Sequence, residues 1–367
     1  MPKTNYDFTL RPSPDVNSTV PTNRPTALLS SSVLLLILCG LLAVLMTGCT
    51  QRGASRTLQQ TLRTNTIGNR NPVVLAAYQP WFGRPGHISV GYSSQDRTVL
   101  QKQIDKAREL GISAFIVNWY GPSRDFEDHS YAALQSVAAA TNFKVALMYD
   151  ESVDDPASAT EQAITDLQYA YQHYIGPQAS GADAYLTMND RPMIFIFPKS
   201  GDTDWGRVKQ ALNSWAAPPL FIYKDSSDKY ATVMDGFYAW VNPGRPGWQS
   251  DGSEWGRDYL ADFYQTMRTK YPDKIAIGAA WPGFNDSRAS WSRNRKMDYR
   301  CGRTMEDSMR MYHSFYDEAH PLPFLMIDTW NDYEEGTAIE NGLPTCNGPR
   351  QTNSASESGL PGHPGQN

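Results

Sequence analysis

The sequence predicts a single (β/α)8 barrel of the TIM-barrel class, on three observations. Eight short β-branched, aromatic or small apolar runs recur through residues 72–342, each closed by Gly, Pro, Asp or Asn. Segments of helical periodicity separate most of them, and alternation of strands with helices implies parallel pairing through right-handed crossovers. The span of about 270 residues is the usual size of such a barrel.

In order, the runs are VVLAAY (73–78), SAFIVNW (113–119), KVALMY (144–149), PMIFIF (192–197), PLFIYK (219–224), GFYAWV (236–241), KIAIGAAW (274–281) and FLMIDTW (324–330). Residues 95–110 place Val99, Gln103, Ile104, Ala107 and Leu110 near one helical face and stop at Gly111. Helices are expected similarly at 131–141, 158–174, 205–215, 255–271 and 304–319, whereas 228–234 is too short for a full helix. The eighth run is followed by no convincing helix, and residues 57–63 are a candidate to cover that gap. An open doubly wound sheet would satisfy the same alternation, but the first turn reads YQPWFGRPG and carries no glycine-rich phosphate loop.

The ends lie outside this domain. Residues 27–46 form one apolar run behind a polar leader with Lys3, Arg11 and Arg24, a membrane-targeting pattern. The run ends in Leu45-Met46-Thr47-Gly48-Cys49, which resembles a bacterial lipobox with Met46 in the usual leucine position. The expected organisation is a lipoprotein signal peptide at 1–48, a tether from the lipidated Cys49 to 71, the barrel at 72–342 and a disordered tail at 343–367. An uncleaved signal anchor is the alternative, because about 20 apolar residues also span a bilayer. Both readings put the barrel outside the cytoplasm, and the lipoprotein reading puts it on a bacterial cell envelope. Besides Cys39 in the apolar run and Cys49, Cys301 and Cys346 remain, an expected disulfide in an oxidising compartment.

The formal net charge is −5 and no basic run could neutralise a phosphate backbone, so nucleic acid is not an expected partner. His87 and His129 are lone histidines without metal-ligand spacing, and no G-x-S-x-G elbow occurs. Neither a metal nor a cofactor is expected, and the chain is expected to be monomeric.

In a barrel, residues ending the strands face the catalytic mouth. Here those ends supply Tyr78, Trp81, Trp119, Tyr120, Tyr149, Asp150, Tyr223, Trp240, Trp281, Trp330 and Asn331 as candidate ligand-binding residues. Any one aromatic could merely cap the core, and Asp150 could merely cap a loop. Together they suit a sugar, whose apolar ring faces stack on Trp and Tyr while its hydroxyls pair with Asp and Asn. The densest constellation is Trp330-Asn331-Asp332-Tyr333-Glu334-Glu335-Gly336-Thr337, continuing to Glu340. Its three close carboxyl groups raise one another's pKa if partly buried, the condition a general acid needs near neutral pH.

This stretch resembles the end-of-barrel motif of glycoside hydrolase family 99, the endo-α-mannosidases, which shows W-N-E-x-x-E-G-T, and of family 71, the α-1,3-glucanases, which shows W-N-D-x-x-E. YQPWFG, KARELGIS and FIVNWYG resemble the first two units of the family 99 type. The resemblance implies a glycosidase acting on α-linked polysaccharide or oligosaccharide, most simply an endo-acting one on α-mannan or α-glucan. It places Asp332 and Glu335 on the two catalytic carboxylates, with Glu335 as acid and Asp332 as base. Glu334 is expected to point away from both. Asp332 departs from the family 99 glutamate, which in that family is thought to deprotonate the sugar's own 2-hydroxyl. A shorter aspartate leans the expectation towards water as nucleophile. A WbsX-type glycosyltransferase carries a similar motif, but export separates it from nucleotide-sugar donors. A non-catalytic glycan-binding lipoprotein is the other alternative, against which both carboxylates stand.

Overall fold

The computed structural model describes residues 72–151, 156–199, 202–243 and 254–344. Cys49, the apolar run at 27–46, the tether, the tail from 345 on and Cys346 lie outside the described residues, whereas Leu343, expected to open the disordered tail, packs partly buried against the core. Among the described residues, no helix is long and apolar enough to cross a membrane.

Eight parallel strands close into a barrel: β1 (Val73–Tyr78), β2 (Ala114–Trp119), β3 (Lys144–Asp150), β4 (Arg191–Phe197), β5 (Leu220–Lys224), β6 (Gly236–Tyr238), β7 (Ile275–Ala280) and β8 (Phe324–Ile327). Each strand pairs with its sequence neighbours, and β8 returns to β1 in the register Val73↔Phe324 through Ala76↔Ile327. A short antiparallel strand (Thr187–Met188) flanks β4 outside the ring. The (β/α)8 expectation is therefore met: β1 keeps the bounds of its run, β3 and β4 each gain one residue, and the other five lose one to three at their ends. The greatest shortening is three residues, at β6, where Ala239 to Val241 leave the ladder, and at β8, where Asp328 to Trp330 do.

Among the described residues six α-helices pack outside: α1 (Arg97–Glu109), α2 (Asp125–Thr141), α3 (Ala159–Ala170), α4 (Trp205–Ala211), α5 (Arg257–Thr269) and α6 (Arg303–Met311). The Asp96 side chain caps α1 by accepting from Thr98 N and Val99 N, and Gly111, at φ 84°, ends the turn that follows. Leu100, Gln103, Ile104 and Ala107 are the buried face, with Leu100 rather than Val99 turned inward. The second helix begins six residues before its expected start at 131. Its first turn carries Asp125, Glu127 and Asp128, which favour a helix N-terminus through the dipole but give no apolar periodicity. Residues 228–234 hold only the 3-10 turn Asp228–Tyr230, as their length implied. Beyond β8 the described chain is turns and extended backbone.

Strand alternation organises what lies beneath the mouth. On β2, Phe115 and Trp119 face the helices, so Asn118 takes the opposite side. Small residues pave much of the barrel, among them Ala76, Ala77, Ala114, Ala146, Ala279 and Ala280, all fully buried. Gly236 has the same origin: it lies in the ladder between Ile222 and Ile275, where a Cβ would stand 2.4 Å from the Ile275 carbonyl oxygen. Gly236→Ala is expected to destabilise by roughly 1–3 kcal/mol, as overpacking does. Thermal unfolding checks it, with roughly 2–4 °C of Tm lost for each kcal/mol in a domain of this size.

Candidate active site

The C-terminal mouth of the barrel opens on a cavity of about 360 Å³, large enough for a small-molecule or oligosaccharide ring. Asp332 and Glu335 both line it, together with Trp81, Tyr120, Asp150 and Trp240 from the expected set.

The turn after β8 is built around Asp332. Its backbone N–H donates to Thr329 Oγ1 at 2.8 Å, and its carbonyl accepts from Thr337 N and Ala338 N. Its Oδ1 accepts from Glu334 N at 3.0 Å and Glu335 N at 2.8 Å, leaving Oδ2 without a backbone partner among the described residues. Only 2% of Asp332 is exposed. Burial pushes its carboxyl well above the usual carboxylate range; the Glu335 and Glu334 charges add to this, and the two N–H donors oppose it.

Glu335 sits nearer solvent, with 20% of its side chain exposed. Trp291 Nε1 donates to its Oε1 at 3.0 Å, and Arg295 Nη2 lies 4.0 Å from the same oxygen. Burial raises its pKa too, opposed first by the Trp291 N–H and then by Arg295. Both partners come from the loop between β7 and α6, where two short strands (Phe284–Asn285 and Lys296–Met297) form a hairpin. Asp286 holds that hairpin by accepting from Arg293 N, Arg295 N and Arg295 Nε.

Glu334 points elsewhere, as expected. Its Oε2 meets His87 Nδ1 at 2.8 Å and its Oε1 accepts from Ile88 N at 3.1 Å, tying the loop after β1 to the loop after β8. His87 stacks on Trp81, ring centroids 4.9 Å apart, and Trp291 meets both rings edge-on. Glu340 bolts the far end of the motif to α1, accepting from Gln103 Nε2, Tyr92 Oη and Tyr333 Oη.

Seven expected ligand-binding residues are not brought to the cavity, and each has another partner. Tyr78 Oη donates to Gln103, Trp119 Nε1 to Asp128 and Tyr149 Oη to Asp166, all on the surrounding helices. Tyr223 packs on Tyr230, Trp281 Nε1 donates to the Trp255 carbonyl, and Trp330 packs on Phe115. Asn331 clasps the main chain of Gln79, accepting from its N–H at 2.7 Å and donating to its carbonyl at 2.9 Å. The reason on β1 to β3 is the two-residue period: where Tyr78, Trp119 and Tyr149 face outward, Gln79, Asn118 and Asp150 face the lumen.

The cavity also takes Arg84, His87, Arg124, Glu127, Phe197, Lys199 and Trp291, which strand-end reading did not select. Most lie on loops or helix starts. Asn118 carried a signal, being one polar residue inside an apolar strand. Arg84 forms an ion pair with Glu127, and Lys199 Nζ lies 3.1 Å from Asp150 Oδ1. Lys224 stands behind them, 3.7 Å from the Phe197 ring centre. Burial lowers its pKa to about 8, and the Asp225 and Asp150 charges oppose the fall. Among the described residues, no cluster of His, Cys, Asp and Glu could hold a metal ion.

A closed barrel with paired carboxyl groups at its mouth is the arrangement of a glycoside hydrolase. The sequence profile of glycosyl hydrolase family 71 matches residues 87–355, and the chain belongs to that family. No curated protein matches it. The structure resembles the family 99 endo-α-mannosidase of Bacteroides thetaiotaomicron, solved in complex with BIS-TRIS-propane: TM-score 0.56 and 20% identity, over 73% of this chain and 86% of that one. It also resembles a glycoside hydrolase-like protein, at TM-score 0.51 and 12% identity, over 74% and 87%. At these identities the likeness establishes the fold.

The buried carboxyl groups have a consequence for stability. In the unfolded chain Asp332 loses its proton near the ordinary aspartate pKa, whereas the folded protein holds it to higher pH. Between the two values the native state binds more protons, so stability falls as pH rises. Asp332→Asn keeps an Oδ1 for the two N–H donors and removes the charge. It is expected to unfold at a higher temperature than wild type at pH 8, the gap closing towards pH 4. A gap that is constant or that widens on acidification contradicts the raised pKa.

Proposed function

We propose that the chain hydrolyses α-glycosidic bonds within a neutral glucan or mannan, with Glu335 as general acid and Asp332 as general base. The observation that carries this is the meeting of Asp332 and Glu335 in one aromatic-walled cavity at the mouth of the barrel. Trp81, Trp240 and Trp291 supply flat apolar surfaces for sugar faces. The family and the endo-α-mannosidase likeness support an α-linked substrate.

In this reading water attacks the anomeric carbon while the bond to the leaving oxygen breaks. Glu335 gives its proton to that oxygen, and Asp332 takes one from the water. The two carboxyl groups interact, so their protons belong to the pair rather than to either residue. A raised pKa keeps a proton available on Glu335, while Asp332 acts as base only in the singly protonated pair, after its own proton has left. A bell-shaped dependence of kcat/KM on pH is expected.

Reducing-end release from a panel of α-glucans and α-mannans tests the reading, and no release from any member sinks it. Glu335→Gln is expected to lower turnover on the responsive polymer by on the order of 10²–10⁴, with binding little changed. An aryl glycoside with a very good leaving group needs no protonation on departure. It should regain much of the lost rate in Glu335→Gln and little in Asp332→Asn. Equal rescue in both, or none, removes the assignment of roles.

We further propose that Cys49 carries a lipid that tethers a monomeric barrel to a bacterial cell envelope, and that Cys301 pairs with Cys346. Cys49→Ser is expected to leave the membrane fraction or remain unprocessed; unchanged mass and fractionation favour an uncleaved anchor. Thiol titration of denatured protein from an oxidising compartment should find Cys301 and Cys346 blocked. A bridge closing about 45 residues stabilises by roughly 3–4 kcal/mol in the chain-entropy model. Two free thiols reject it.

A further inference from the structure

Three neighbouring strands deliver one polar side chain each to the same wall of the cavity. Gln79 follows β1, Asn118 lies in β2 and Asp150 ends β3. They are 2%, 5% and 3% exposed. Each holds a buried acceptor that takes no hydrogen bond among the described residues: Gln79 Oε1, Asn118 Oδ1 and Asp150 Oδ1. The last has the Lys199 ammonium 3.1 Å away as its ion-pair partner, so of the three, Gln79 Oε1 and Asn118 Oδ1 are the two left without any partner among the described residues. Native proteins rarely leave such atoms unpaired, because a buried acceptor without a donor loses its hydration and gains nothing in return.

The wall is fixed before any ligand arrives. The Gln79 main chain is clasped by Asn331, one residue from Asp332, so the row starts beside the proposed base. Tyr120, between β2 and β3, interacts with both Asn118 and Asp150. The outward neighbours Tyr78, Trp119 and Tyr149 are each pinned to a helix, which prevents the strand ends from rotating. Adjacent strands lie about 4.8 Å apart, so the acceptors are spread over a distance that one sugar ring can cover. Trp81 Nε1, from the same loop as Gln79, is a buried donor that likewise lacks a partner among the described residues. Charge does not recommend an anionic ligand: Arg84, Arg124 and Lys199 face Glu127, Asp150, Asp332 and Glu335.

We propose that Gln79, Asn118 and Asp150 form a hydroxyl-reading ledge, which accepts hydrogen bonds from successive free hydroxyls of one neutral pyranose ring beside the scissile bond. This rests on the glycosidase reading and adds its substrate class: a ring unsubstituted on the side facing β1 to β3. Sites built to hydrogen-bond a hydroxyl reject analogues lacking it, because the protein group is then left buried and unpaired. Deoxy, O-acetyl and O-methyl groups on that edge are therefore excluded, and uronic acids gain nothing there.

The test is a binding cycle that does not need turnover. Full-length Glu335→Gln protein is titrated calorimetrically with α-1,3-linked glucotetraose and α-1,2-linked mannotetraose. The same titrations use derivatives in which one hydroxyl of one ring at a time is replaced by hydrogen, and an α-linked oligouronate. Asn118→Leu and Gln79→Met, near-isosteric and without the acceptor, are added singly, and unchanged far-UV circular dichroism confirms folding. Loss of the matching hydroxyl should weaken binding about tenfold, loss of the acceptor about as much, and loss of both little more than either alone. Asp150→Asn should be milder, since it keeps an oxygen in place.

Strictly additive losses overturn the ledge, as does parent-like affinity in Asn118→Leu and Gln79→Met. Preference for the oligouronate, abolished by Lys199→Met, overturns it in favour of an anion subsite, and failure of every neutral probe to bind also overturns it. Coupling in the cycle with no hydrolysis by the wild-type chain would reject the glycosidase reading and keep the ledge. Hydrolysis without coupling would do the reverse.

Discussion

The alternation of side chains at the ends of β1, β2 and β3 is the constraint on which the rest of this site depends. Each end pairs a large aromatic with a small polar neighbour: Tyr78 with Gln79, Trp119 with Asn118, and Tyr149 with Asp150. Successive residues of a strand must face opposite ways. The aromatic goes outward, where its ring fills the layer between barrel and helix and its polar tip reaches Gln103, Asp128 or Asp166. The polar neighbour is thereby committed to the lumen. Asp128 shows how strongly the outer arrangement is held, since it accepts from Trp119, Tyr169 and Tyr174 at once.

The seam between β8 and β1 carries the second half of the site by a related economy of bonds. Asn331 satisfies both main-chain groups of Gln79, and Glu340 collects Gln103, Tyr92 and Tyr333 at the other end of the same motif. With its ends fixed, the intervening turn can bury three carboxyl groups. Each is held by different donors: Asp332 by the N–H groups of its own turn, Glu334 by His87 and Ile88, and Glu335 by Trp291. Buried carboxylates are tolerable only when hydrogen-bonded, and the raised pKa values of Asp332 and Glu335 show that these bonds do not fully compensate. The motif therefore costs stability where it gains chemistry.

The barrel was legible because its strands are apolar runs closed by breakers, a signal that survives without knowledge of tertiary contacts. The start of α2 was not: Asp125 to Asp128 look like a solvated turn until Trp119 and Arg84 are seen to use them. The carboxyl motif after β8 was legible as a dense acidic stretch, but Trp291 and Arg295 were not, since a hairpin 40 or so residues earlier brings them to Glu335. At the ends of β1 and β2, the bulkier residue of each pair drew attention where its neighbour was the informative one. A polar residue within a buried run, such as Asn118 in AFIVNW, is the sign that this side lines a cavity.

The charged groups around Asp150 and Lys199 show why the cavity suits a neutral ligand. Burial lowers the Lys224 pKa to about 8, and the Asp225, Asp150 and Asp328 charges oppose the fall. Burial pushes the Asp328 carboxyl upward, while the Val241 N–H donated to its Oδ2 and the Lys224 charge pull it back. Each ionisable group there is thus poised against another of opposite sign, in surroundings where an unmatched charge is expensive. An arriving anion would have to displace Asp150 from Lys199, leaving a buried carboxylate without its cation. A sugar hydroxyl asks for no such exchange. It pairs with acceptors the fold has already desolvated, and leaves the ion pairs standing.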